Sequence, residues 1–281
     1  MSASANPSDV IRRAATAVWL VAALAALPAL AEPPRRVVSV NLCTDQLALM
    51  MATPGQVVSV TYLAADPDVS AMPGAAAGIP QNRGRAEEVF LMRPDVVLAD
   101  DWTDAATLSM LERLGVRVER FSPGYAMEGI RENVLKMGTV LGREAAAAAI
   151  VAEFDTRLAA LQAAAGEPKR AANYAPNGFT WGSRTLSGQV MAAAGFSNVA
   201  DAAGLQDGGL LPLETLVMAA PDVVITGARA PGASQAEELV RHPALRGLRQ
   251  AGAVTGPDWA CATPFVLDAV ARLAAVRGDL Q

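Results

Sequence analysis

Apolar and polar positions along this chain fall into one phrase that occurs twice. The first copy runs from Glu87 to Pro94-Asp95-Val96-Val97-Leu98, the second from Glu214 to Pro221-Asp222-Val223-Val224-Ile225. In each, a glutamate precedes a Pro-Asp pair, an apolar stretch lies between, and a run rich in β-branched residues follows. The pattern predicts about one and a half turns of helix, a proline stop and a buried strand. The copies lie 127 residues apart, too far for a solenoid repeat. They predict two α/β lobes of similar plan, and two lobes imply a cleft between them.

Strand and helix patterns alternate around both copies. Arg36 to Val40 reads as a strand, followed by a helix through Met51 and a second strand, Val57 to Thr61. A Pro/Gly-rich loop from Asp66 to Gly84 leads into the first copy, which is followed by a helix around Ala105 to Leu114 and a strand, Val116 to Phe121. The second half alternates likewise: a strand near Ala171 to Tyr174, a Gly-rich stretch to Gly188, a helix through Ala194, the second copy, a short strand Ala253 to Thr255 and a last helix from Pro264 to Val276. Short connections between such elements predict mostly parallel sheets flanked by helices.

Between the halves, from about Ala126 to Ala165, there is no proline, and apolar residues from Ile130 to Leu158 recur at helical spacing. One helix of about 40 residues would be about 60 Å long and would bridge the lobes. Gly138 and Gly142 lower its local propensity without ending it, and Gly166 and Pro168 stop it. The expected organisation is residues 1–31 as a signal peptide, 32–124 as an N-terminal lobe, 125–166 as the bridging helix and 167–281 as a C-terminal lobe. Arg12 and Arg13 before an apolar run from Ala14 to Leu27, with Ala29-Leu30-Ala31 as the cleavage site, carry the first of these expectations. A membrane anchor fits less well, because Pro28 interrupts a run shorter than the roughly 20 apolar residues of a spanning helix.

Composition narrows the function. With 281 residues and 52% hydrophobic composition the chain can bury a full two-lobed core. Removal of residues 1–31 leaves 21 basic and 27 acidic residues, a net charge of −6, which argues against nucleic acid or anionic lipid as partner. A single histidine, His242, excludes a two-histidine zinc motif, and its place before Pro243 reads as a loop cap. No phosphate-cradling Gly-Lys-Ser/Thr loop or Gly-x-Ser-x-Gly elbow is present, and Ser183 has no histidine near it in sequence. No cofactor or metal site is expected.

The order and spacing of several segments carry a resemblance. Arg36-Val37-Val38-Ser39-Val40-Asn41, both Glu…Pro-Asp phrases, Leu141-Gly142, Ala194 to Val199 and His242-Pro243-Ala244-Leu245 together resemble the periplasmic substrate-binding proteins of the iron-siderophore and vitamin B12 class of ABC importers. The resemblance implies two lobes joined by one rigid backbone helix, with limited closure on ligand. It implies further that Glu87 and Glu214, one per lobe, dock into arginine pockets of the importer. Glu88 leaves a one-residue ambiguity that the Pro-Asp spacing resolves toward Glu87. Both glutamates also suit the first turn of a helix, where a carboxylate meets the N-terminal dipole.

Candidate ligand residues follow from topology. Trp102, Trp181 and Trp259 each come just after a predicted strand, with Tyr62 and Tyr125 in equivalent loops. The carboxyl ends of parallel strands are where open sheets bind ligands, and aromatic walls suit large flat ones. Arg83, Arg85, Arg184 and Arg229 lie in the same class of loop; if Arg83 or Arg184 faces the cleft, an anionic chelate is favoured over a neutral macrocycle. Cys43 and Cys261 follow the first strand of one lobe and the last of the other, and three readings stand for them: a disulfide, separate thiols or ligand contact. The expected function is a monomeric periplasmic protein that captures a ferric siderophore or corrinoid and delivers it to an ABC importer permease with its ATPase. The rivals are an exported enzyme on the same scaffold and a binder of bare metal ion.

Overall fold

The computed structural model describes residues 32–227, 236, 238–252 and 255–280. The predicted signal peptide, Arg229 and the first two residues of the predicted strand Ala253 to Thr255 lie outside them. The N-terminal lobe is built on a five-stranded sheet of β1 (Val37–Ser39), β2 (Val57–Thr61), β3 (Gln81–Asn82), β4 (Val96–Asp100) and β5 (Val118–Phe121), in the order β3-β2-β1-β4-β5. The C-terminal lobe has β6 (Lys169–Asn173), β8 (Phe196–Asn198), β10 (Val223–Ile225) and β11 (Gln250–Ala251), in the order β11-β10-β6-β8. Every pairing within these two sheets is parallel. Strands β2-β1-β4-β5 correspond one for one with β8-β6-β10-β11, so the repeated phrase belongs to a repeated topology. A two-stranded antiparallel ribbon, β7 (Phe179–Thr180) with β9 (Gly209–Leu210), is added to the second lobe.

Helices α1 (Leu42–Leu49), α2 (Ala86–Leu91) and α3 (Ala105–Arg113) belong to the first lobe; α6 (Leu186–Ala193), α7 (Val199–Ala202), α8 (Leu213–Ala219) and α9 (Val266–Gly278) belong to the second. Asn41 starts α1 by accepting hydrogen bonds from Cys43 N and Thr44 N through its side-chain oxygen. In both copies of the phrase a short helix, α2 or α8, ends before proline and runs into a buried strand, β4 or β10, as predicted.

The single bridging helix over 125–166 is not found. Residues Met127–Leu141 form α4 and Glu144–Ala163 form α5, separated at Gly142, whose φ of +67° is left-handed. A side chain there would be strained, and glycine turns the chain at little cost. The helices fold back on each other: Arg131 of α4 pairs with Asp155 of α5 at 2.6 Å and stands over the Phe154 ring. Gly138 permits the close approach, because a Cβ there would lie 2.4 Å from that of Ala147. Only α5, about 30 Å long, runs between the lobes. Its start is held by Arg143, which donates to Met51 O at 3.0 Å, and it packs on α6 and α9, with Arg157 paired to Asp268 at 2.5 Å.

The joint beside this helix is tight. Cys43 and Cys261 form a disulfide with Cα atoms 5.3 Å apart, linking the start of α1 to the segment before α9. Of the three readings for the cysteines, the structure takes the first. Gly124, at φ +68°, packs so closely on Ala262 that a Cβ would lie 2.2 Å from the alanine's. Met127 N donates to the Gln189 side chain at 2.8 Å. One apolar core runs through both lobes, from Val37, Val96 and Leu98 through Ile130, Met137 and Phe154 to Ala171, Val223 and Val270. Pro34–Gln281 accordingly cluster as one unit rather than dividing at the cleft.

Candidate functional site

Strand ends build the site. The chain order doubles back between β1 and β4 in one sheet and between β6 and β10 in the other, and parallel sheets open a crevice at such switch points. At the first, Asn41 donates to Asp100 at 2.8 Å, and the Asp100 carboxylate accepts from Trp102 N at 3.1 Å. A hollow of about 570 Å³ lies against the second lobe and is lined by Tyr125, Phe179, Trp181, Arg184, Asp207 and Trp259, with Gly124, Thr185 to Ser187 and Ala260 completing it. That volume lies in the range of small-molecule sites.

Its aromatic side chains are fixed by neighbours. Phe179 and Trp181 meet edge to face with centroids 5.1 Å apart. Trp259 stands in a turn, Pro257–Trp259, and its indole N–H donates to Ser187 Oγ at 2.7 Å. Tyr125 is 63% exposed at the mouth. The charge in the wall is neutralised within it: Arg184 Nε donates to Asp207 Oδ1 at 2.7 Å and a second guanidinium nitrogen meets Oδ2. This fork holds the Asp207 carboxyl below its ordinary range and raises the Arg184 guanidinium above its own. Arg184 N also donates to Gln206 O, so the loop before α6 is tied to the loop before β9.

The remaining candidates lie on the first lobe, outside this hollow. Tyr62 follows β2, Arg83 follows β3 with its guanidinium 5.2 Å from the Tyr62 ring centroid, and Trp102 follows β4, 73% exposed. Arg85 is exposed at the start of α2. The structure therefore joins Tyr125, Trp181, Arg184 and Trp259 and pairs Tyr62 with Arg83. Neither cysteine lines the hollow; Cys261 directly follows Ala260, which does. His242 caps a turn, Pro243–Gly247, with Nδ1 accepting from Ala244 N at 3.2 Å. Among the described residues no group of three or more His, Cys, Asp or Glu could hold a metal ion. Sequence reasoning missed Phe179, Ser187 and Asp207. Phe179, two residues before Trp181, carried a signal; the pairing of Asp207 with Arg184 across 23 residues did not.

Away from the cleft, Glu87 and Glu214 occupy the first turns of α2 and α8, both exposed. Glu88 is engaged: its carboxylate accepts from Arg83 N at 2.9 Å. Glu87 has no such contact with that loop in the hydrogen bonds described.

Comparison with known proteins fits this architecture. A profile of the periplasmic binding protein family matches residues 37–253. The chain is 32% identical over 206 residues to a cobalamin-binding protein of Halobacterium salinarum, an alignment covering 70% of this chain and 55% of that protein. It therefore spans about half the length of the curated relatives it matches. Among solved structures it resembles a periplasmic heme-binding protein from Roseiflexus sp. RS-1, with a TM-score of 0.71 and 20% identity over 88% of this chain and 98% of the other. It also resembles the periplasmic vitamin B12-binding protein of Vibrio cholerae, with a TM-score of 0.65 and 16% identity over 89% and 98%. At these identities the structural likeness is one of fold.

Proposed function

Because the chain belongs to the periplasmic binding protein family, we propose that it captures a corrinoid in the cleft and delivers it to an ABC importer. The observation that carries the choice of ligand is the Arg184–Asp207 pair. An arginine alone in that wall would favour an anionic ferric chelate. Paired to a carboxylate, it leaves a wall of four aromatic rings without net charge, one that suits a broad neutral macrocycle edged with amide groups. The name of the Halobacterium salinarum relative points the same way. Tyr62 and Trp102 then form the opposing wall, and the ligand spans both.

In this reading the protein works in the periplasm, exported by residues 1–31, and leaves its ligand chemically unchanged. Glu87 and Glu214 are its contacts with the permease. Titration calorimetry of the purified mature protein with cyanocobalamin, ferrichrome and hemin in parallel tests the assignment. Tight one-to-one binding of cyanocobalamin is expected, with ferrichrome and hemin weak. Tight ferrichrome binding without cyanocobalamin binding would return the site to ferric siderophores.

A further inference from the structure

The two copies of the repeated phrase agree beyond the residues that explain their fold. Val89 and Leu216 are buried at equivalent places in α2 and α8, as core packing requires. Two residues further on, Leu91 and Met218 point out of the core, 79% and 85% exposed. They are the two most exposed large hydrophobic side chains among the described residues. Single surface apolar residues are ordinary and need no explanation. Two of them, the most exposed of their kind, at the same position of a duplicated element do need one. Each lies four residues after its lobe's glutamate, Leu91 after Glu87 and Met218 after Glu214. That offset sets the carboxylate and the apolar side chain next to each other on one helix face.

We propose that the docking surface consists of two mixed contact units, Glu87 with Leu91 and Glu214 with Met218. They fit a partner that offers the same basic and apolar hollow twice, as a membrane permease of two like subunits does. The inference rests on reading the two glutamates as docking residues and adds the element that would hold the complex once charge has brought it together. An exposed ion pair contributes little by itself, and a desolvated apolar anchor beside it excludes water and supplies most of the affinity. The first unit also has a concavity: a hollow of about 380 Å³ lined by Phe90, Leu91, Arg93, Pro94 and Val116 can receive a side chain of the partner. The second copy has Val217 in place of Phe90, so the two units are alike without being identical. An anionic lipid surface is a poor occupant for a face that carries glutamates on a chain of net negative charge.

Saturable binding of fluorescently labelled protein to spheroplasts of the producing organism tests this, with vesicles of its extracted lipids alongside. The variants are Leu91→Ser with Met218→Ser, Glu87→Gln with Glu214→Gln, and Leu135→Ser as an exposed apolar control on α4. Cooperative melting transitions and unchanged cyanocobalamin titrations show that the variants are folded. The apolar double variant should bind about tenfold or more weakly and keep its salt dependence. The glutamate double variant should lose salt dependence, and Leu135→Ser should behave as wild type. Wild-type binding by the apolar variant with loss in the glutamate variant would overturn this inference and leave the docking reading intact. Wild-type binding by both would overturn both. Equal binding to the lipid vesicles, abolished in the apolar variant, would make Leu91 and Met218 lipid contacts and also overturn it.

Discussion

Arg36 and Arg170 hold equivalent positions in the two halves of the chain. Each donates its backbone N–H to the aspartate of a Pro-Asp pair, Arg36 to Asp95 at 2.9 Å and Arg170 to Asp222 at 2.7 Å. Each also turns its guanidinium onto the last turn of the preceding helix, donating to Met92 O at 2.6 Å and Ala219 O at 2.5 Å. Between helix and proline stands a residue with positive φ, Arg93 at +50° or Ala220 at +42°. The repeated phrase is therefore a structural lock. Proline stops the helix, aspartate fastens the new strand to the lobe's first strand, and that strand's arginine closes the orphan carbonyls of the helix.

Asp95→Ala and Asp222→Ala should each destabilise the protein by about 1–2 kcal/mol, since each removes a charged acceptor from backbone N–H groups at a partly solvated site. Ala220→Gly should go the other way by up to about 1 kcal/mol, because alanine is strained in the left-handed region. Urea unfolding of the three variants measures this. A neutral Asp222→Ala would show that the aspartate is incidental to the lock.

The disulfide closes a loop of 218 residues across the lobe joint. Replacing both cysteines by serine should cost about 2–5 kcal/mol through the freedom returned to the unfolded chain. Denatured, unreduced protein should show no free thiols. Two thiols per chain, or an unchanged unfolding midpoint in the double variant, would contradict the clasp.

The lobes were legible because proline, Pro-Asp and β-branched runs act locally, and those signals do not depend on what packs against them. The break at Gly142 was not. Ala145 to Ala149 carry no apolar phase, so the helical pattern reads through the turn, and the close approach of Gly138 to Ala147 that accompanies the fold-back is a tertiary contact. Trp181, Trp259, Tyr125 and Arg184 could be found because each follows a strand or a turn signal. Asp207 could not, because the ribbon that brings it to Arg184 is made of two-residue strands, too short for any periodicity. Whether a loop arginine is free or neutralised is decided by such tertiary pairing.

For the cleft, Trp181→Ala and Trp259→Ala should each weaken cyanocobalamin binding by about 1–3 kcal/mol with the fold retained. Trp102→Ala should weaken it as well, since the ligand is read as reaching both walls. Asp207→Asn should shift preference toward anionic chelates by freeing Arg184. Fluorescence titration of each variant measures these effects. Normal affinity in all three tryptophan variants would remove the aromatic cleft as the binding site.

Asp45 gives a pH signature. It is fully buried in the first lobe, accepting from Thr61 N at 3.2 Å and from Thr61 Oγ at 2.5 Å. Burial pushes its pKa up to about 6 from an ordinary 3.8, and the hydrogen bonds from Ser39 and Thr61 only partly oppose this. Between those two values the folded state holds a proton that the unfolded chain has released. Stability should therefore fall as pH rises from about 4 to about 6, by up to about 3 kcal/mol, and be flat in this contribution above that. Asp45→Asn should abolish this fall. Identical slopes of melting temperature against pH in the two proteins would rule Asp45 out as its source.

Glu87 and Glu214 allow the transport reading to be separated from a purely structural one. Both lie in the first turn of a helix, where a carboxylate favours the N-terminal dipole by about 0.3–1 kcal/mol. A structural role would thus appear as a small loss of stability and nothing else. Glu88, already bound to Arg83 N, is the internal control for that role in the first lobe. Docking predicts a different result. Glu87→Ala and Glu214→Ala should keep cyanocobalamin affinity within error and reduce uptake by cells lacking the wild-type copy, the double variant more than either alone. Glu88→Ala should lower stability and leave uptake per folded molecule unchanged. Uptake of labelled cyanocobalamin, normalised to periplasmic protein, provides the measurement, and full transport by the double variant would leave both glutamates with the dipole alone.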